Sequence, residues 1–168
     1  NPERDEDLHP CNPMRVRLAY DELLAHQLTL ALARASIRKK KGVVTKGSGA
    51  LRNKVLKSLP YSATSAQLRA FEDIISDMAT PHRMNRLLQG DVGSGKTLVA
   101  LVALLAAVEA GGQGVIMAPT GILAQQHFEA LLPLASDARV VLEILTGRDK
   151  GRERRSKLAA LANGGIQI

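Results

Sequence analysis

Cysteine, aromatic residues and long apolar runs are almost missing from this sequence. Cys11 is the only cysteine, so no internal disulfide can form and a cysteine-rich zinc site is excluded. Tryptophan is absent, and the aromatics, 2% of the residues (Tyr20, Tyr61, Phe71 and Phe128), are too few for a base-stacking sheet surface. No apolar stretch approaches the roughly 20 residues of a membrane span. The acidic start, Asn1-Pro2-Glu3-Arg4-Asp5-Glu6-Asp7, is unlike a secretory leader. These absences predict a cytoplasmic chain with no membrane partner. The first residue is not methionine, which suggests a piece of something longer. At 168 residues, 45% hydrophobic and 23% charged, the chain can bury the core of one domain with an attached helical segment. It is too short for two motor domains or for a TIM barrel of roughly 250 residues.

Acidic residues are also missing from one long region. None lies between Glu22 and Glu72, whereas that stretch carries Arg34, Arg38, Lys39, Lys40, Lys41, Lys46, Arg52, Lys54, Lys57 and Arg69. A second basic cluster comprises Arg148, Lys150, Arg152, Arg154, Arg155 and Lys157. With 23 Lys+Arg against 16 Asp+Glu the net charge is +7. Such blocks suit a phosphate backbone, whose counterions they displace; a solvated face or a linker is the bland alternative.

The pattern of apolar residues divides the chain. After an extended lead-in to Pro13, Leu18, Leu24, Leu28 and Leu32 recur at mostly helical steps, predicting a helix over Arg15–Arg38. Leu23, Leu30 and Ile37 widen the stripe, which predicts packing against a partner element. A basic, glycine-containing loop (Lys39–Gly49) and a short helix (Ala50–Leu56) follow. From Tyr61 onward helices alternate with apolar strands. Helices are expected at Ser65–Met78 (Ser65 as N-cap; Leu68, Phe71, Ile74 and Ile75 inward), Gly95–Ala110, Leu123–Leu134 (stopped by Pro133) and Arg152–Ala162. Strands are expected at Arg86–Gln89, Gly114–Ala118, Val140–Leu145 and Ile166–Ile168. This alternation predicts an α/β fold with a parallel sheet covered on both faces. The expected domains are a helical connector with its basic loop (1–58) and a strand–helix domain (59–168).

One motif carries chemistry. Gly90-Asp91-Val92-Gly93-Ser94-Gly95-Lys96-Thr97 fits G-x-x-x-x-G-K-[ST] in full, between a predicted strand and a predicted helix. Glycines let successive N–H groups converge on one anion, and the helix start adds its positive dipole end. Lys96 can reach β- and γ-phosphates, and the Thr97 hydroxyl can take one Mg²⁺ position. All eight residues, 90 to 97, are therefore expected to bind a nucleoside triphosphate. Hydrolysis also needs a carboxylate for Mg²⁺. Glu143 is the only later acid that follows an apolar run, and it is expected on the solvent side or edge of its strand, so this chain should bind nucleotide far better than it hydrolyses it.

Further motifs fall in order around that loop. Thr64-Ser65-Ala66-Gln67 resembles the Q motif of superfamily 2 helicases. Pro119-Thr120-Gly121-Ile122-Leu123-Ala124-Gln125-Gln126 resembles motif Ia, and Thr146-Gly147 followed by Arg148 and Lys150 resembles the T-G element of motif Ib. Leu18-Ala19-Tyr20-Asp21-Glu22-Leu23-Leu24-Ala25 is similar to a helix between a wedge domain and a motor. Together these resemble a RecG-type ATP-dependent DNA helicase. The resemblance implies a partial RecA-like P-loop NTPase sheet preceded by a helical connector, truncated before the Asp-Glu motif. It implies ATP and Mg²⁺ as cofactors, with Lys96 and Thr97 catalytic and Thr97 on the metal. Gln67 would read the adenine edge, with Tyr61 nearby. Thr120, Gln126, Thr146, Arg148 and Lys150 would contact DNA, and the chain would act as a monomer on forked or branched DNA in repair and recombination. Gly121 departs from the family, which usually has glutamate there.

Other readings of the same residues are a transcription–repair coupling helicase, a phosphotransferase or GTP switch, and a non-catalytic nucleic-acid-binding module. The coupling helicase usually has an aromatic at the position of Ser94. A GTP switch needs a base-reading Asn-Lys-x-Asp, which is not in the sequence.

Overall fold

The computed structural model describes residues 9, 11–39 and 41–168. Contacts divide the chain into two compact units, between Lys41 and Gly42. Part of the predicted lead-in and Lys40 of the basic loop lie outside the described residues.

The first unit is built on α1 (Pro13–Lys39). Pro13 opens it, where a missing N–H costs nothing, and the Asn12 side chain accepts the Met14 N–H at 2.9 Å. Arg17 pairs with Asp21 one turn on, at 3.1 Å. The leucine stripe does not pack as its spacing suggests. Leu18, Leu23, Leu28 and Leu32 are all exposed.

The second unit is assembled around one helix. It contains α2 (Ala50–Ser58), α3 (Ser65–Met78), α4 (Lys96–Glu109), α5 (Gly121–Ala138) and α6 (Gly151–Ala162). In α4, Leu98, Val99, Leu101, Val102, Leu105 and Ala106 are buried, and α2, α3 and α5 each pack against it. Leu101 and Leu105 are wholly enclosed, and each full burial of this kind is worth about 1.5–3 kcal/mol. The helix that begins at the glycine-rich motif is thus also the centre of the core, so the motif rests on the least deformable element of the unit.

Beyond shifts of one or two residues at the ends of α1, α4 and α6 and at the start of α5, three helix features differ from the sequence expectation. Thr64, not Ser65, caps α3. The Thr64 hydroxyl accepts the Gln67 N–H at 3.2 Å, and Gln67 Oε1 accepts the Thr64 N–H at 2.9 Å, a reciprocal capping box. Phe71 is buried in α3, whereas Leu68, expected inward, is exposed. Helix α2 runs to Ser58, two residues beyond its expected end. It starts at Gly49 without a side-chain cap of its own; the Glu109 carboxylate, from the far end of α4, accepts the N–H groups of Gly49 (2.6 Å) and Leu51 (2.5 Å). Pro133 does not stop α5, which continues to Ala138 and ends on Arg139 in the left-handed conformation. An interior proline costs about 3 kcal/mol, and the helix nonetheless continues, with Leu131 buried before it and Ala135 and Ala138 buried beyond it.

The four expected strands are the main difference. Among the described residues none of Arg86–Gln89, Gly114–Ala118, Val140–Leu145 and Ile166–Ile168 forms a regular strand. The last three are nonetheless linked. Gly114 N–H donates to Gln167 O (2.8 Å), Ile168 N–H to Val141 O (3.2 Å) and Glu143 N–H to Ile168 O (3.0 Å). The 166–168 segment therefore lies between the other two. Gln167 Oε1 takes the Val141 N–H at 2.7 Å, so a side chain occupies a donor that a ladder carbonyl would use. Residues 86–89 make no backbone bond to another segment among the described residues, and Leu87, Val115 and Met117 stay exposed.

Candidate functional site

The glycine-rich segment bends directly into α4. Gly93 and Gly95 have φ of 81° and 82°, a region closed to most L-residues. Gly95 is constrained twice, because a Cβ there would also collide with Gln67 Nε2. No side chain caps the start of α4; the Leu98 N–H turns back to Gly95 O at 3.0 Å, and the N–H groups of Lys96 and Thr97 lie ahead of it. Lys96 turns back over the loop and donates from Nζ to Gly90 O (2.8 Å) and Asp91 O (2.7 Å). The cation thus draws carbonyls to one side of the bend. Val92 is fully exposed at the tip. Thr97 is half-buried in the first turn of α4.

Gln67 joins this loop to α3. Its Nε2 donates to Ser94 O at 3.0 Å while its Oε1 serves the capping box. A carboxamide has two N–H donors and two acceptor lone pairs, so one of each remains after these contacts. Tyr61 is exposed. The segment before the loop is anchored to α3 by Arg86, which bonds Asp77 (2.5 Å) and Asp73 (3.5 Å). Its pKa is raised, first by the hydrogen bond to Asp77.

The remaining expected contact residues sit at two other loop–helix junctions. Thr120 caps α5, its hydroxyl accepting the Leu123 N–H at 3.3 Å, and Gln126 is exposed one turn later. Gly121 has an ordinary backbone conformation, and a Cβ there would meet nothing within 4 Å, so no local geometry explains this glycine. At the start of α6, Arg148 and Lys150 are exposed, but Thr146 is not free. Its N–H and hydroxyl both donate to Asp149 Oδ2, at 2.5 and 3.1 Å, and its Oγ1 accepts the Arg148 N–H at 3.2 Å.

The sequence reasoning missed the residues that hold this second turn. Lys157, grouped above with the free cations, donates to Asp149 Oδ1 (2.8 Å) and Ile144 O (2.9 Å), and lies 3.4 Å from both Glu143 and Glu153. The hydrogen bond from Lys157, with those from Thr146, holds the Asp149 carboxyl down to about 2. The same hydrogen bond raises Lys157. Glu143 is exposed, and its carboxylate accepts the adjacent Ile144 N–H at 2.9 Å. The Thr-x-x-Asp spacing of Thr146 and Asp149 was the available signal, as Thr-x-x-Gln was for Thr64 and Gln67. An apolar hollow of about 210 Å³, lined by Phe128, Leu131, Leu142, Ile144 and Leu161, includes none of residues 90–97.

With this geometry in view, comparisons with known proteins narrow the reading. The family model described as DEAD/DEAH box helicase matches residues 64–168. The chain belongs to the DEAD/DEAH box helicase family. Its match to that family begins at Thr64, the cap beside Gln67, and takes in the phosphate-loop motif and both later junctions. The helicase chain is similar to "ATP-dependent DNA helicase RecG" of Bacillus subtilis (strain 168), 44% identical over 155 residues, covering 92% of this chain and 23% of that protein. It is likewise similar to the protein of that name from Escherichia coli O157:H7, 41% identical over 157 residues, covering 94% and 23%. A solved structure titled "Structure of RecG bound to three-way DNA junction" superposes with a TM-score of 0.84 at 42% identity, covering 92% of this chain and 21% of that one. The chain spans under a quarter of the length of these relatives. A RecA-like fold follows from family and neighbour together. No helix among the described residues is long and apolar enough to cross a membrane.

Proposed function

We propose that this chain is the ATP-binding part of an ATP-dependent DNA helicase that remodels branched DNA in repair and recombination. The observation that carries the proposal is the 90–97 bend: an uncapped helix start, two left-handed glycines and a lysine poised over the loop. The RecG-named relatives, one of them solved on a three-way DNA junction, supply the substrate class.

In this reading a triphosphate lies against the N–H groups of the bend and of the α4 start, where the helix dipole favours negative charge. Lys96 exchanges the carbonyls of Gly90 and Asp91 for phosphate oxygens, a trade of neutral for charged acceptors that favours the nucleotide. Gln67 offers its remaining N–H and lone pair to adenine without leaving Thr64 or Ser94. Thr97 offers one hydroxyl to Mg²⁺. Among the described residues no group of three or more His, Cys, Asp or Glu could hold a metal. A Mg²⁺ ion held there with the triphosphate would neutralise charge on the phosphate oxygens. ATP turnover by this chain alone should accordingly stay near background.

The interlinked segments 114–118, 140–145 and 166–168 belong, in this reading, to one parallel sheet. The reciprocal bonds of Ile168 with Val141 and Glu143 have the spacing of a parallel pair. A helical connector (1–58) precedes the motor part (59–168) in this reading, although its last helix, α2, packs against α4 within the second compact unit; the motor part works as a monomer. Thr120, Gln126, Arg148 and Lys150 would face the DNA backbone from helix starts on one edge of that sheet, with Thr146 shaping the last of these contacts.

Calorimetric titration with ATP tests the proposal. ATP affinity lowered about 10- to 100-fold by Lys96→Ala, with GTP binding more weakly than ATP unless Gln67 is replaced by alanine, is the expected result. Equal affinity for GTP would remove the adenine-reading role of Gln67, and full ATP affinity in the Lys96 variant would remove the assignment of the loop.

A further inference from the structure

The turn that presents Arg148 and Lys150 has a carboxylate at its centre, which is the wrong charge for a surface meant to approach phosphate. The Asp149 side chain is only 9% exposed and Lys157 15%, whereas Arg148 and Lys150 on either side of Asp149 are exposed. Every polar contact of the carboxylate points inward: to the N–H and hydroxyl of Thr146 and to Lys157 Nζ. Lys157 in turn ties the turn to the 140–145 segment through Ile144 O and Glu143, and to its own helix through Glu153. The Thr146 hydroxyl donates to Asp149 and accepts from Arg148 N–H, so its one proton is not offered to a phosphate.

We propose that Asp149 and Lys157 are positioning residues: they lock the 146–150 turn so that Arg148 and Lys150 are presented, pre-ordered, to a DNA backbone. The inference rests on reading this turn as a DNA contact. Long basic side chains on a loose loop lose conformational freedom when they engage phosphate, and a locked backbone reduces that cost. Thr146 belongs to the lock rather than to the DNA-contacting set, and Lys157 neutralises the carboxylate that the lock requires. The depressed carboxyl of Asp149 accords with a group kept ionised by its contacts.

The sign of one substitution tests this. Asp149→Asn removes a negative charge beside a proposed phosphate site, so electrostatics alone predicts tighter DNA binding. The positioning role predicts the reverse, about fivefold weaker binding, because Lys157 loses its ion pair within the turn, keeping only its ties to Ile144 O, Glu143 and Glu153, and the turn loosens. The measurement is fluorescence anisotropy of the full chain on a labelled three-way DNA junction and on a plain duplex, across a salt series. Circular dichroism confirms folding. Thr146→Val provides a second lesion that leaves every charge in place and should also weaken binding, while Thr146→Ser should restore it. Arg148→Ala/Lys150→Ala is the reference. If that double variant weakens binding but Asp149→Asn tightens it or leaves it unchanged, the positioning role is overturned and the interface stands. If the double variant binds normally, the interface reading falls and the positioning role falls with it.

Discussion

The 90–97 bend and the 146–150 turn each precede a helix, and their backbones are satisfied by opposite charges. In the first, a cation does it: Lys96 covers the carbonyls of Gly90 and Asp91, while of the bend's amides the Ser94 N–H turns inward to Asp91 O at 3.2 Å. In the second, an anion does it: Asp149 takes the Thr146 amide, and the Thr146 hydroxyl takes the Arg148 amide. What remains to meet a ligand differs accordingly. The first loop can grip an anion with main-chain donors, which fixes distance and orientation closely. The second has spent three of its amides, those of Thr146, Arg148 and Asp149, and can reach a phosphate chiefly through Arg148 and Lys150, long side chains that tolerate variation in backbone position. The contrast suits a triphosphate that must be held to fractions of an ångström and a polymer backbone that must slide.

The largest test of this contrast removes the cation. Lys96→Ala should lower ATP affinity by about 10- to 100-fold, the scale of a lost charge-assisted contact, while the melting temperature barely moves because water replaces Nζ on two exposed carbonyls. Titration calorimetry and thermal melting together read this. A large fall in melting temperature would mean that Lys96 holds the loop together and that the bend is not preformed.

Next in size is Gly95→Ala. The left-handed conformation costs an alanine about 1–2 kcal/mol, and the added Cβ displaces Gln67 from Ser94. Chemical denaturation should show a loss of that order, accompanied by weaker ATP binding. Gly121→Ala is the matched control at the start of α5, where neither conformation nor space requires glycine, and it should leave stability unchanged or slightly raised. Equal effects at the two glycines would erase the distinction between a constrained loop and an unconstrained one.

A smaller effect is expected from the second loop. Each phosphate contact contributes about 0.9 to the slope of log affinity against log salt, so Arg148→Ala/Lys150→Ala should flatten that slope by about 2 on duplex DNA. ATP affinity is the internal comparison and should not follow. A slope that does not change would assign the DNA contact to another basic stretch, with Lys54 and Lys57 on the exposed side of α2 the first to examine.

How far these features were legible in the sequence depends on how local their causes are. The phosphate-loop motif, α3 and α4 follow from spacing within a dozen residues, and their bounds were read to within a residue or so. The 140–145 and 166–168 segments depend on bonds between residues more than twenty positions apart, and Gln167 places a side chain where a ladder bond would run; periodicity contains neither fact. Lys157 was misread for the same reason. In sequence it is one of six basic residues, and only folding α6 back on the turn shows that it faces Asp149, Glu143 and Glu153. Pro133 failed as a stop signal: α5 runs on past it, and Ala135 and Ala138 beyond it are buried. The capping box at Thr64 follows from Thr-x-x-Gln spacing alone, so Gln67 has a structural role that the sequence carries beside its expected base contact.

The smallest effect is set by pH, and its sign separates the two loops. Asp149 is held near about 2 against an ordinary value of 3.8, principally by the hydrogen bond from Lys157. A carboxyl lowered on folding contributes stability that is fully present above its unfolded value and is lost as pH falls towards its folded one. Lys157, raised on folding, behaves in the opposite sense: its contribution is present below about 10.5 and disappears as pH rises beyond that. The lock on the 146–150 turn should therefore hold from about pH 4 to 10 and weaken on both sides. Other carboxylates titrate in the acid range too, so the informative quantity is the difference in melting temperature between the parent chain and Asp149→Asn. That difference should be largest near neutrality and shrink as pH drops from about 4 to 2. The carbonyl contacts of Lys96 involve no acidic group, so the corresponding difference for Lys96→Ala should stay flat over the same interval. A flat profile for Asp149→Asn as well would mean that the carboxylate carries no pH-dependent part of the fold, and the opposition between a cation-held and an anion-held loop would not extend to energetics.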